Sequence, residues 1–306
     1  MEAPRSQQLL LLLLLVSLLA ASAPRGADAW GKEGHIMTCK IAERYLSEEA
    51  KAAVQELLPA SAGGELSTMC PWADTMRFRY HWASPLHYAN TPNVCNFNNS
   101  RDCHNSKGVQ GMCVVGAINN YTEQLYTYGD SPKSSYNLTE SLMFLAHFVG
   151  DVHQPLHVSF EEDEGGNSIQ VHWYRRKANL HHVWDVSIID SVMKDFYNKD
   201  MDTMVDALET NLTLSAPNGW SDDISDWENC TNMNSTCAND YAIESIDLSC
   251  NYAYKDVTQN ITLGDDYYFT RYPVVERRLA QGGVRLAMIL NSIFDKKVDT
   301  MPLYVQ

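Results

Sequence analysis

Positive charge is scarce in this chain: 306 residues carry 23 Lys and Arg against 38 Asp and Glu, a formal net charge of −15. Wrapping duplex nucleic acid needs basic surface that displaces counterions, so this balance argues against that mode of binding. It leaves open an enzyme that meets phosphate through metal ions. Long apolar runs are also missing. The nearly unbroken stretch from Leu9 to Ala21 falls short of the ~20 residues a spanning helix needs, and no later stretch reaches that length. None of the eight cysteines forms a Cys-x-x-Cys pair, which removes the commonest thiolate metal frameworks. Internal repeats, low-complexity tracts and Pro-rich linkers are absent as well. With 45% hydrophobic and 20% charged residues, the composition is that of a folded globular protein and excludes disordered or collagenous classes.

What is present begins with an address. Residues 1–29 read as a secretory signal: Arg5 supplies the positive start, Leu9 to Ala21 the apolar segment, and Ala27-Asp28-Ala29 the small-x-small cleavage pattern. Cleavage after Ala29 starts the mature chain at Trp30. No Lys-Asp-Glu-Leu-type tail closes the sequence. Two features agree with export. The cysteines are even in number and all lie after residue 29, which predicts disulfides in an oxidising compartment. Asn-x-Ser/Thr glycosylation candidates stand at Asn98, Asn120, Asn137, Asn211, Asn229, Asn234 and Asn260.

Helical periodicity dominates the mature chain. Met37 to Leu58 carries apolar residues at three-to-four spacing and stops at Pro59. Gly111 to Tyr128, Leu138 to Val152, Leu180 to Tyr197 and Met201 to Leu212 follow the same pattern. A last helix, Val274 to Phe294, is expected to carry Arg277, Arg278 and Arg285 on its polar side, with Gly282-Gly283 as a weak point. Asn90 to Gly108 and Ser215 to Thr236 read as loops, and Val171 to Tyr174 as a short strand. The expected architecture is one mainly α-helical, compact domain over residues 30–306.

The ten histidines are unevenly placed among carboxylates, most sharply in His147-Phe-Val-Gly-Asp151-Val-His153-Gln-Pro-Leu-His157. His147 and Asp151 are four apart and share a helix face, where imidazole nitrogen and carboxylate oxygen suit zinc. Pro155 ends the helix and lets His157 return to the same place by another route. A second such pair is His181 and Asp185. One pair alone reads as a surface salt bridge; two pairs plus His157, among Phe144, Phe148 and Trp184, point to buried metal ligands. Upstream, Asp74 precedes Arg77 by one turn and His87 precedes Tyr88. Taken singly, Asp74 serves equally well as a helix cap and His87 as a satisfied core histidine.

Together these residues resemble the S1/P1 nuclease family, most closely the plant type I bifunctional endonucleases. The resemblance rests on Trp30-Gly31-x-x-Gly34-His35, Trp72-Ala73-Asp74, Leu86-His87-Tyr88, the His147 to His157 block and Asn179-Leu180-His181-x-x-Trp184-Asp185, and covers essentially the whole mature chain. It implies a helical, disulfide-stapled fold of the zinc-dependent phospholipase C and P1 nuclease type with three zinc ions. By resemblance, Asp74, His87, His147 and Asp151 hold one zinc. His157, His181 and Asp185 hold a second. His35, Asp151 as a bridge, and the free α-amine and carbonyl of Trp30 hold the third. Asp74 also orients the attacking water. Arg77 stabilises charge on the phosphoryl oxygens or, alternatively, pairs with a ligand carboxylate. Tyr88 stacks on an unpaired base and Asn90 bonds its edge.

The implied activity is endonucleolytic cleavage of single-stranded DNA and RNA to 5′-phosphate products, with 3′-nucleotidase action, by a monomer in the apoplast or vacuole without membrane or obligate protein partners. Spacing suggests Cys103–Cys113 and Cys230–Cys237 as local disulfides; Cys39–Cys70 and Cys95–Cys250 follow from the resemblance. His153 is expected to orient a ligand or cap the turn, and His81, His104, His172 and His182 to be surface or packing residues. Two rivals remain: a phospholipase C-like phosphodiesterase, against which Tyr88, Asn90 and the cysteines count, and a non-catalytic secreted zinc glycoprotein. Against the second, the three ligands His157, His181 and Asp185 leave an open position where a structural zinc has four.

Overall fold

The apolar periodicity from Met37 to Leu58 folds as two helices, not one. The computed structural model describes residues 30–130, 134–229 and 236–295, so the expected leader, Cys230 and the sequon at Asn234 lie outside the described residues. Helix α1 spans Lys32–Tyr45 and α2 spans Glu48–Leu57. Between them Leu46 is extended, and the Ser47 side chain accepts a hydrogen bond from the Ala50 N–H. A serine cap followed by Glu48 and Glu49 satisfies the orphan donors and positive end of a new helix, which outweighs continuous apolar spacing.

Further helices are α3 (Trp72–Met76), α4 (Val114–Leu125), α5 (Leu138–His153), α6 (Ile188–Phe196), α7 (Met201–Thr213), α8 (Ala238–Leu248) and α9 (Asp265–Phe294), with short helical segments at Asn99–Asp102 and Ile224–Glu228. Helix α6 is entered through a helical turn, Leu180–His182, and a π-helical turn, Val183–Ser187. Helix α9 starts nine residues before the expected Val274 and runs through Pro273. Proline normally breaks a helix by removing an N–H and crowding the preceding turn. Here Tyr267, Tyr268, Arg271 and Val275 are buried on both sides of it, and packing keeps the axis continuous.

Two of the three arginines expected on the polar side of α9 are inside: Arg278 and Arg285 are 2% and 3% exposed. Only Arg277 keeps to the surface, over the Trp227 ring and 3.0 Å from Asp223. Gly282-Gly283 is a packing device rather than a weak point. A Cβ on Gly283 would lie 2.5 Å from Ile41 and 2.9 Å from the Thr38 carbonyl, so the missing side chain lets α9 close onto α1.

Strand β1 (Ala89–Thr91) pairs in parallel with β2 (Val158–Phe160), Ala89 facing Val158. His87 and His157, each just ahead of its strand, are thereby brought side by side. Strands β3 (Gln170–Trp173) and β4 (Arg176–Asn179) form an antiparallel hairpin, extended by β5 (Thr262–Leu263) parallel to β3. Two apolar clusters make up the core. One is built on α4 and α5, the other on Trp30, Trp184, α6 and α7, and α1 and α9 contribute to both. The turn after α5 passes from the first to the second, Leu156 belonging to the latter.

Cys39–Cys70, Cys95–Cys250 and Cys103–Cys113 are joined as expected. Cys237 is also disulfide-bonded, its expected partner Cys230 lying outside the described residues. Sequons at Asn98, Asn120, Asn137, Asn229 and Asn260 are exposed, whereas Asn211 is half-buried on α7. Among the described residues no helix is long and apolar enough to cross a membrane.

Candidate metal centre

Helix α5 presents His147 and Asp151 one turn apart, both fully buried. Asp151 uses its two oxygens in two directions. Its Oδ2 lies 3.0 Å from His87 Nδ1 and 3.3 Å from His147 Nε2, while Oδ1 lies 3.2 Å from His35 Nε2 on α1. From α3, Asp74 Oδ1 approaches His147 Nε2 at 3.6 Å and His87 Nδ1 at 3.7 Å. Two metal-capable groups therefore adjoin each other: Asp74, His87 and His147, and His35, His147 and Asp151. The His35 and His147 rings stack at 3.8 Å, where the two groups meet.

A third group combines the turn after α5 with the entry to α6. His181 Nε2 lies 3.1 Å from His157 Nε2 and 3.2 Å from Asp185 Oδ2. Its link to the others is direct, since His157 Nδ1 is 2.6 Å from the His87 carbonyl oxygen.

Backbone carbonyls set the ring orientations. The Nδ1–H groups of His147, His157 and His181 donate to the carbonyls of Cys70, His87 and Gly165 at 2.7, 2.6 and 2.6 Å, which turns each Nε2 toward the centre. Gly165 has φ +65°, and a Cβ there would lie 2.6 Å from the Leu156 carbonyl, so this support needs glycine. Gln154 donates from Nε2 to Asp185 Oδ1 at 2.5 Å and accepts the Leu156 N–H through Oε1 at 2.5 Å. Sequence reasoning missed Gln154 and the three carbonyls. The glutamine lies inside the His147 to His157 block and could have been found there; a carbonyl leaves no signal in side-chain identity.

Burial holds His35, His87 and His157 well below the usual imidazole range, with neighbouring histidines and Arg77 adding to it. Burial thus favours the neutral form of these rings, which keeps a lone pair. Burial opposes charge on His147 too, but Asp151 and Asp74 prevail and raise it to about 9. Asp74 Oδ1, His87 Nε2 and His35 Nδ1 are buried without a hydrogen-bond partner among the described residues. Orphaned nitrogen and oxygen atoms beside buried carboxylates are costly as they stand, and dications remove that cost. The mixed imidazole and carboxylate donors fit zinc better than calcium, which takes oxygen.

The other expected site residues surround this centre. Trp30 is fully buried, and the next N–H, that of Gly31, donates to the Asp185 carbonyl at 2.9 Å. Arg77 Nε is 3.7 Å from Asp74 Oδ1, so its ion pair with that carboxylate is formed. Tyr88, 38% exposed, precedes β1, and Asn90 lies on β1 opposite Ser159. His153 is buried and bonds the Val149 carbonyl through Nδ1 at 2.7 Å. His81, His104 and His182 are exposed and His172 half-buried, as the sequence predicts.

The sequence profile of the S1/P1 Nuclease family matches residues 30–295. Similar proteins include Endonuclease 2 of Arabidopsis thaliana, 55% identical over 87% of this chain and 90% of that protein. Endonuclease 4 of the same plant is 54% identical over 89% of this chain and 91% of its own length. Nuclease P1 of Penicillium citrinum is 31% identical over 88% of this chain and 99% of its own.

Proposed function

Because the chain belongs to the S1/P1 nuclease family, we propose that it is a zinc-dependent endonuclease that cleaves single-stranded DNA and RNA to 5′-phosphate products and removes 3′-phosphates from nucleotides. Residues 30–295 form one catalytic unit, and residues 1–29 are a secretory leader that delivers it to the apoplast or vacuole. The observation that carries the reading is Asp151, whose two oxygens face His35 on one side and His87 with His147 on the other. A carboxylate placed in this way could serve adjacent metal ions, which supports the reading. We assign three zinc ions: one to Asp74, His87, His147 and Asp151, one to His35 and Asp151, and one to His157, His181 and Asp185, with the amine and carbonyl of Trp30 added to the second by resemblance to the family.

When bound, such ions polarise the phosphoryl group, lower the pKa of water and stabilise the leaving oxygen. The chain's own residues do the rest. Asp74, held by Arg77 and facing both His87 and His147, accepts a hydrogen bond from the attacking water and aims it at phosphorus. Arg77, partly exposed beside it, presents its guanidinium to the phosphoryl oxygens, where negative charge grows. Tyr88 offers a ring to an unpaired base and Asn90 bonds its edge; a base held in a duplex reaches neither without unstacking.

Circular single-stranded DNA tests the activity, since an exonuclease finds no end on it. Protein starting at Trp30 is expected to open the circle near pH 5.5, to stop with chelator and to resume with added zinc. Intact circles in the presence of zinc-loaded protein sink the proposal.

A Tyr88→Ala variant probes single-strand recognition. Stacking contributes about 1–3 kcal/mol per base, so kcat/KM on single-stranded DNA is expected to fall roughly 5- to 150-fold with zinc content intact. An unchanged kcat/KM removes Tyr88 from the substrate site.

A further inference from the structure

Arg278 is a cation buried to 2% exposure, and it shares its carboxylate partner, Glu244, with Arg285. Two guanidinium groups on one carboxylate leave excess positive charge in the core, so something else must stabilise them. For Arg278 that is a complete set of acceptors. Its Nε donates to the His153 carbonyl at 3.0 Å, and Nη1 to Glu244 at 2.8 Å and Gln281 at 2.5 Å. Its Nη2 donates to Ser245 Oγ at 2.6 Å and the Val152 carbonyl at 3.4 Å. All five guanidinium donors are used. Ser245 Oγ itself donates to the Val152 carbonyl, drawing α8 into the same contact.

Val152 and His153 are the last residues of α5, where helix carbonyls lack partners and carry the negative end of the dipole. Asp151 immediately precedes them. Gln154, bonded to Asp185, and His157, bonded to the His87 carbonyl, follow within the next turn. The contact is therefore made at the hinge between the residues facing the first two groups and those forming the third. Helix α9 also rests on α1 through Gly282 and Gly283, so one rigid element references both His35 and the end of α5.

We propose that Arg278 is a positioning residue of the metal centre: its guanidinium caps α5 and fixes the turn that carries Asp151, Gln154 and His157 relative to α1. The proposal rests on the metal-centre reading of these residues. Lysine at this position keeps the charge but has one nitrogen, which cannot reach both helix carbonyls, Ser245 and Glu244 together.

The test is Arg278→Lys, with the surface change Arg277→Lys as control, each assayed for zinc retention under chelator competition, for kcat and KM on a dinucleotide, and for the melting temperature of the metal-free form. Arg278→Lys is expected to weaken zinc retention and kcat by roughly 10- to 100-fold, with KM within about twofold of wild type and the control unchanged. A variant that melts lower but keeps wild-type zinc retention and kcat overturns the proposal, because a purely structural role does that much and no more. If Arg278→Lys yields no folded protein, Ser245→Ala, which removes the partner of Nη2 and the Val152 donor, is read by the same criteria. Wild-type protein that takes up no zinc overturns the metal-centre reading and this proposal with it.

Discussion

Asp151→Asn is expected to disable the metal centre as a whole rather than subtract one ligand from it. The side chain is fully buried and faces His35 through one oxygen and His87 with His147 through the other. Asparagine keeps the shape but gives up the charge and one of the two oxygens, so at least one of the two directions meets an N–H where it had an oxygen, and neither meets a carboxylate. Removing one partner from a buried charged set costs about 3–5 kcal/mol. Converted to affinity, that is roughly a 100- to 5,000-fold loss of metal binding, and kcat/KM on single-stranded DNA should fall on the order of 1,000-fold. Two measurements separate this from misfolding. Zinc added to metal-free wild type should raise its melting temperature, since the ligand binds only the folded form, and in the variant most of that rise should vanish. Far-ultraviolet circular dichroism of the two metal-free proteins should coincide. Asp185→Asn, confined to the third group, should instead lose zinc from that group alone. Full zinc retention and wild-type activity in Asp151→Asn end the reading of Asp151 as a shared ligand.

The pairing of the candidate ligands was legible in the sequence because helices convert spacing into proximity. His147 with Asp151 and His181 with Asp185 each fall one turn apart, and the structure places both pairs within 3.3 Å. What spacing cannot give is how separate segments converge. The meeting of His87 and His157 depends on two three-residue strands, β1 and β2, too short to leave an alternation pattern. The break at Leu46-Ser47 was written in the sequence, since a serine followed by two glutamates is a helix start, but continuous apolar spacing concealed it. Arg278 and Arg285 show the opposite failure. Charge on a helix predicts a solvated face, and only the three-dimensional arrangement supplies the helix-end carbonyls and Glu244 that make their burial tolerable. Periodicity reports what side chains prefer; it has no access to main-chain acceptors.

A single extra residue on the N-terminal side of Trp30 is expected to be as damaging as loss of a ligand side chain. Trp30 is fully buried, a Cβ on Gly34 would lie 2.9 Å from its own Cβ, and Gly31 is bonded to the Asp185 carbonyl at 2.9 Å. That packing fixes the backbone of residue 30 about one helical turn ahead of His35, whose Nε2 is 3.2 Å from Asp151. In the proposed site an α-amine there, with its carbonyl, would offer nitrogen and oxygen to the ion assigned to His35 and Asp151. An amide nitrogen in its place has no lone pair to offer. Because a free α-amine has a pKa of roughly 7.7–8.0, its proton competes with the metal, and zinc held this way should weaken as the pH falls. Protein with a protease-removable extension ending at Ala29 should therefore show a roughly 10- to 100-fold lower activity on circular single-stranded DNA and a lower zinc content. Cleavage to expose Trp30, followed by added zinc, should restore both. The restoration distinguishes chelation from a folding defect, because the same polypeptide is assayed before and after one peptide bond is cut. An extended protein with full zinc and full activity removes Trp30 from the ligand set and leaves His35 and Asp151 to hold that ion with solvent.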